Sequence, residues 1–247
     1  MLKRMMTYSF FPLLIIIILF LYSFSIKRNK QKKISNIEIE FEGGKNFFLT
    51  HKSVNKLLIQ NNKEVKKQSK SMLTLHKLEN KVLKNPYVEE ANVFITLEGL
   101  LKTYIKQREP LVRIITDTEN YYVDKYGVKI PLSSKYSARV PLVIGVNSSK
   151  DVKEITELVK LFSKDDFLKK EIISIKKTLE KEYIFGVRSG SYKINFGKCV
   201  NVDEKIKKIK AFYNKALLDK TIHNYKTINV KYHNQVVCTK QNLDGEQ

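Results

Sequence analysis

A chain of 247 residues with 43% hydrophobic content has enough apolar mass for one large core or two small ones. Basic residues outnumber acidic ones 46 to 25, a net charge of +21, yet only six of them are Arg. Recognition of bases and phosphates favours the planar guanidinium, and the Lys are spread over the polar faces of predicted helices. The charge therefore reads as a solvated surface and argues against a sequence-specific nucleic-acid reader.

The first predicted element is residues 8–26, YSFFPLLIIIILFLYSFSI, a run with no charge. As a helix it spans roughly 28 Å, close to the hydrocarbon thickness of a bilayer. Residues 27–33, KRNKQKK, follow it in place of a small-residue cleavage site. The segment is thus expected to be a transmembrane anchor with a stub at residues 1–7 and a basic linker at 27–33. Lys3 and Arg4 precede the span, while Lys27, Arg28, Lys30, Lys32 and Lys33 follow it. By the positive-inside rule that count alone leans towards a cytoplasmic C-terminal part.

Ile34, Ile37, Ile39 and Phe41 interleave with Glu38, Glu40 and Glu42, which predicts a half-buried strand ended by Gly43 and Gly44. Thr50 caps a predicted helix with Val54, Leu57 and Leu58 on one face. Residues 61–71 read as a polar loop. A second helix sets Leu75, Leu78, Val82 and Leu83 on one side and stops at Asn85-Pro86. Residues 88–97 and 101–108 read as strands joined at Glu98-Gly99. The order β-α-α-β-β predicts two helices on one face of a three-stranded sheet, with a domain boundary at Arg113.

Strands are next expected at 113–115 and 121–124, with a turn from Asp124 to Gly127 and a return strand at 128–131. Residues 140–145, VPLVIG, read as a strand buried on both faces. Ser149 caps a helix carrying Val152, Ile155, Leu158, Val159 and Phe162. Strands follow at 172–176, 183–188 and 192–196, the last two joined at Ser189-Gly190. A Lys-rich helix turns Ile206, Ile209, Phe212, Tyr213 and Ala216 inward. The chain closes with strands at 227–232 and 236–240 around His233, Asn234 and Gln235, then a frayed tail at 241–247.

Chemistry-bearing patterns are sparse. The sequence has no G-x-S-x-G, Walker A or H-E-x-x-H segment, and no G-x-G-x-x-G after a strand. Glu89-Glu90 and Asp165-Asp166 are paired carboxylates, at a strand start and near a helix start, where ordinary structural roles outweigh acid/base work. His51, His76, His223 and His233 show no metal-ligand spacing. Cys199 and Cys238 can pair in an oxidising compartment or stay as two buried thiols. No catalytic residue, cofactor or metal is expected.

The order of parts, with several short segments, resembles the FtsQ/DivIB family of bacterial cell-division proteins. Leu75-His-Lys-Leu78-Glu79 and Leu83-Lys-Asn85-Pro86-Tyr87-Val88-Glu-Glu-Ala91-Asn-Val93 are similar to the family's second helix and second strand. Ile105-Lys-Gln-Arg108-Glu109-Pro110-Leu-Val112 is similar to its V-x-E-R-x-P-V-A. Asp124 to Gly127, then Val140-Pro141-Leu142-Val-Ile-Gly145, resemble D-x-x-G … L-P-L-I-x-G. Residues 192–197 resemble G-x-x-V-x-L-G, and Ile228 to Tyr232 with Gln235-Val236-Val237 resemble I-D-L-R-Y … V, with Asn229 for Asp and Lys231 for Arg.

The resemblance implies an α+β protein with a POTRA domain at 34–113 and a mixed β-sheet domain with flanking helices at 114–240. It implies a single-pass inner-membrane protein whose bulk is periplasmic, reversing the lean of the charge count. It implies a non-enzymatic scaffold at the division septum that regulates septal peptidoglycan synthesis with FtsB-like and FtsL-like partners. The closing strand is the expected contact, as a sheet edge that adds a partner strand: Thr227, Asn229, Lys231, Tyr232, Gln235 and Val237. Two rivals stand beside this reading: a POTRA-type chaperone or translocation factor of the envelope, and a membrane-anchored cell-wall enzyme.

Overall fold

The computed structural model describes residues 2–31, 34, 36–59 and 75–241. The loop expected at 61–71, Lys32 and Lys33 of the expected linker, and the tail from residue 242 lie outside the described residues. Helix α1 (Leu2–Gln31) contains the whole apolar run. It continues through Lys27, Arg28 and Lys30, because Lys and Arg are good helix formers and no breaker intervenes. Its window from Phe11 to Arg28 is charged only at Lys27 and Arg28 and buries nothing against the rest of the chain. Among the described residues it is the one helix long and apolar enough to cross a membrane.

The fold is α+β and divides into two units between Gln107 and Arg108. Arg113 lies inside a strand of the second unit, paired with Tyr122, so the boundary stands ahead of the expected position. The reason is local: Pro110 opens that strand, and alternation from Val112 to Ile114 belongs to the second core.

The first unit holds β1 (Asn36–Phe41), α2 (His51–Ile59), α3 (Leu75–Leu83), β2 (Val88–Ile95) and β3 (Leu100–Gln107). The sheet order is β1-β3-β2, with β1 parallel to β3 and β2 antiparallel to it. Thr50 and Ser53 cap α2 reciprocally: Ser53 N–H donates to Thr50 Oγ1 at 3.2 Å, and Thr50 N–H to Ser53 Oγ at 2.9 Å. Val54, Leu58, Leu78 and Val82 close over Val93, Leu101 and Ile105. Leu83 departs from the expected inward face and is exposed at the last turn of α3.

The second unit is built on a nine-stranded sheet, counted over the described residues. Its strands are β4 (Pro110–Ile115), β5 (Asn120–Asp124), β6 (Lys129–Pro131), β7 (Leu142–Ile144), β8 (Ile172–Lys177), β9 (Tyr183–Val187), β10 (Lys193–Gly197), β11 (Tyr225–Asn229) and β12 (Val237–Lys240). They lie in the order β12-β11-β10-β9-β8-β7-β4-β5-β6. Helices α4 (Ser149–Phe162), α5 (Asp166–Glu171) and α6 (Val202–Leu218) share one core with Ile114, Val143, Ile175, Phe185, Ile194 and Ile228. Those residues hold one face of successive strands, so the helices cover that face.

Two expectations are corrected here. Within β7 only Val143 is buried on the helix side, while Leu142 and Ile144 are each 41% exposed, because helices cover one face of the sheet and not both. The cap of α4 is Ser148 and not Ser149: Ser148 is extended (φ −137°, ψ 157°) and its Oγ accepts from Asp151 N–H. The Asp124 turn forms as read. Its carboxylate accepts from Tyr126 N–H, Val128 N–H and Arg108, and Gly127 supplies the positive φ of +81°.

Candidate functional site

The closing segment is positioned by α6 and by a close approach to β10. Strand β11 runs parallel to β10, matching Thr227 to Lys193 and Asn229 to Asn195. Val230 N–H extends the pairing to the Asn195 carbonyl. Past it, the Cβ of Lys231 sits where a Cβ on Gly197 would come within 2.7 Å. Only glycine fits there, and its φ of +74° demands glycine again.

Strand β12 lies antiparallel to β11, setting Val237 beside Asn229 and Thr239 beside Thr227. This corrects the expected edge. Strand β11 is flanked on both sides, so the backbone of Thr227 and Asn229 is already committed to its neighbours. The outer edge belongs to β12, a four-residue strand with Val237, Thr239 and Lys240 exposed. Alternate residues of such a strand turn N–H and C=O away from the sheet.

The predicted residues separate accordingly. Val237 opens the edge strand itself, and Thr227 and Asn229 lie one strand in. Lys231 and Tyr232 lie beyond β11, and Gln235 lies on the exposed connection that turns through Asn234 at φ +56°. Asn229 Oδ1 accepts from Lys231 N–H at 3.1 Å, and the Lys231 ammonium lies 3.2 Å from Glu182. Tyr232 is 44% exposed.

Sequence reasoning missed what fixes this connection. Lys208 of α6 donates to the carbonyls of Val230 at 2.9 Å and Tyr232 at 2.6 Å. Glu204, one turn earlier, lies 3.6 Å from His233 Nδ1. Lys208 is one Lys among many on α6, and no pattern marks it as the one that folds back. At the opposite end of these strands, a buried network joins α5, α6 and the β9–β10 hairpin. Glu171 accepts from Tyr213 and Ser189, and Tyr192 donates to Tyr213. Burial pushes the Tyr192 and Tyr213 hydroxyls up, so both stay neutral donors.

The other candidate groups have structural partners. Glu89 and Glu90 both meet Lys106, at 3.2 and 3.0 Å. Asp165 caps α5 and lies against Lys210, which holds its carboxyl below the usual range. Cys199 and Cys238 are free, half-buried thiols, both pushed up by burial. No group of three His, Cys, Asp or Glu able to hold a metal occurs among the described residues.

A family model described as "FtsQ/DivIB, C-terminal related" matches residues 109–239, more than half of the chain. A second, described as "POTRA-like domain", matches residues 32–106. No curated protein matches the chain in sequence. Among solved structures, the chain is similar to the major extracytoplasmic domain of the trans isomer of the bacterial cell-division protein DivIB from Geobacillus stearothermophilus. Identity is 13%, with 47% of this chain and 97% of that one covered, at a TM-score of 0.34. With a POTRA-like region followed by the family's C-terminal unit, the chain belongs to the FtsQ/DivIB family of bacterial cell-division proteins.

Proposed function

We propose that this protein is a single-pass scaffold of the bacterial inner membrane. In this reading α1 is the anchor, the two units stand in the periplasm, and the protein works at the division septum without catalysing a reaction. It links and regulates septal peptidoglycan synthesis by binding FtsB-like and FtsL-like membrane proteins. Family membership supports the division role, and α1 supports the anchor.

One observation carries the mode of binding: β12 closes the sheet with no strand beyond it among the described residues. Its outward backbone groups are ready to pair with an extended segment. Lys231 and Tyr232, one connection away, then supply charge and an amphipathic ring for specificity. Hydrogen exchange on the full chain, with and without the extracytoplasmic part of an FtsB-like protein of the same organism, tests this. Amides of Val237 to Lys240 are expected to slow markedly on binding. Binding that leaves their exchange unchanged would put the contact on another surface.

A further inference from the structure

The sheet of the second unit has a second face that no helix covers among the described residues. From β4 to β9 the register sets Ile115, Ile144, Lys176 and Ile184 in one row across it, and Arg113, Leu142, Ser174 and Gly186 in the next. None of these eight belongs to the helix-side core. Leu142 and Ile144 are each 41% exposed, as is Ile173 at the neighbouring bulge of β8. The centre is low: a Cβ on Gly186 would lie 2.2 Å from Ser174 Oγ, so only these small residues fit side by side. The result is a shallow apolar trough.

The unpaired charge on the strands of this face has one sign. Within the strands from β4 to β12 its exposed and half-buried charged positions are Arg113, Lys176 and Lys193; the carboxylate next to the face, Glu182 just ahead of β9, is paired with Lys231. None of the three has an ion-pair partner among the described residues, although Lys106, Lys177 and Lys210 are each paired elsewhere. The Arg113 guanidinium lies over Tyr122, 6.0 Å from its centroid. A carboxylate is the acceptor a guanidinium fits best.

Size narrows the occupant. The strip crosses four strands, about 14 Å at the usual interstrand spacing. A helix with its side chains is about 10–12 Å across, and a helix layer is the ordinary cover of a bare sheet face. We propose that this face seats one amphipathic helix of a partner protein, with an apolar stripe flanked by carboxylates. The stripe lies on Ile115, Leu142, Ile144 and Ile184, and its flanking acids reach Arg113 on one side and Lys193 on the other. Lys176 lays its aliphatic stem along the trough and holds its ammonium at the rim. The surface is separate from the β12 edge, and the inference does not depend on strand pairing there.

The test uses the full chain in lipid nanodiscs and a labelled 18-residue synthetic helix with a Leu stripe flanked by Glu, read by fluorescence anisotropy at physiological salt. The amphipathic peptide is expected to bind, and a scrambled peptide of the same composition to bind at least tenfold more weakly. Ile144→Glu is expected to lower affinity at least tenfold. Leu142→Gln, which adds no charge, lowers it severalfold and serves if Ile144→Glu folds poorly. Lys169→Glu, a larger charge change at an exposed position of α5, leaves affinity within twofold. Equal binding of the scrambled peptide, tighter binding of a Lys-flanked one, or wild-type affinity in both folded trough variants would overturn the proposal. So would sedimentation showing that wild-type chains pair with each other and that Ile144→Glu abolishes the pairing, which would make the occupant a second copy.

Discussion

Replacing Lys177 with Met is expected to cost the second unit about 2 kcal/mol at pH 7 and to flatten its acid profile. The Lys177 side chain is 5% exposed, and its ammonium lies 2.7 Å from Asp151 and 3.1 Å from Glu154 of α4. Burial works against that charge, but the two carboxylates outweigh it and hold the ammonium above its ordinary range. Breaking a fully buried pair typically costs about 3–5 kcal/mol. Here the carboxylates are 23% and 34% exposed and rehydrate when the ammonium goes, which brings the figure to about 2 kcal/mol. Met keeps the volume of the stem, so packing contributes little. For a unit of this size the melting temperature falls by roughly 6–8 °C.

The sign with pH follows from Asp151. The Lys177 bond holds its carboxyl at about 2, below the unfolded value near 3.9. Its contribution is complete above about pH 4 and is lost as pH falls towards 2. The variant lacks that depression, so the gap between the two proteins narrows between pH 4 and 2. Urea unfolding of the full chain, read by the near-ultraviolet signal of Tyr183, Tyr192 and Tyr213, measures both effects. A loss below about 0.5 kcal/mol at pH 7, or a gap that stays constant to pH 2, would refute the reasoning.

Gly145→Ala is expected to destabilise by at least about 2 kcal/mol, because φ is +79° and the new Cβ would stand 2.2 Å from the Lys177 carbonyl oxygen. An unchanged urea midpoint would contradict this. Asp124→Ala loses the Arg108 bond at 2.7 Å and the two turn amides, at a cost of about 3 kcal/mol, whereas Asp124→Asn keeps an oxygen for the amides and loses less. Equal midpoints for the two variants would show that the turn amides contribute nothing. Lys231→Glu breaks a one-third exposed pair with Glu182 and is expected to shift stability by no more than about 1 kcal/mol while weakening capture of an FtsB-like partner. If folded Lys231→Glu and Tyr232→Ala both pull that partner down at wild-type strength, the interface is elsewhere. A reporter active only in the periplasm, fused after Lys240, is expected to work; activity of a cytoplasmic reporter alone would reverse the proposed orientation.

Local pattern carried the first unit well. Alternation in β1, the i, i+3, i+4 spacing of Val54, Leu57 and Leu58, and the stop at Asn85-Pro86 each act over a few residues, and each element formed where its pattern lay. The turn at Asp124 was legible for the same reason. Strand order was not. Residues 227–232 look like a terminal strand in sequence, but α6 carries the chain back to lay β11 parallel to β10, and β12 then takes the outside. No local pattern encodes which neighbour a strand meets across an intervening helix. The wholly apolar β7 misled for a related reason: Leu142 and Ile144 read as buried until the layer count of the sheet is known. Lys208 and Glu182 gave no signal among so many charges, since their roles rest on a fold-back and a contact 49 residues away.

The brevity of β12 bears on turnover. Four residues at the end of a sheet, with β11 as their one strand neighbour among the described residues, belong to the low-stability fringe of a protein, where opening needs little free energy and proteases find extended chain. A strand added outside β12 would turn that fringe into interior sheet and raise the cost of opening it. Copies without a partner would then be cut at β12 sooner than assembled ones. The same few residues would set both whom the protein binds and how long an unassembled copy survives.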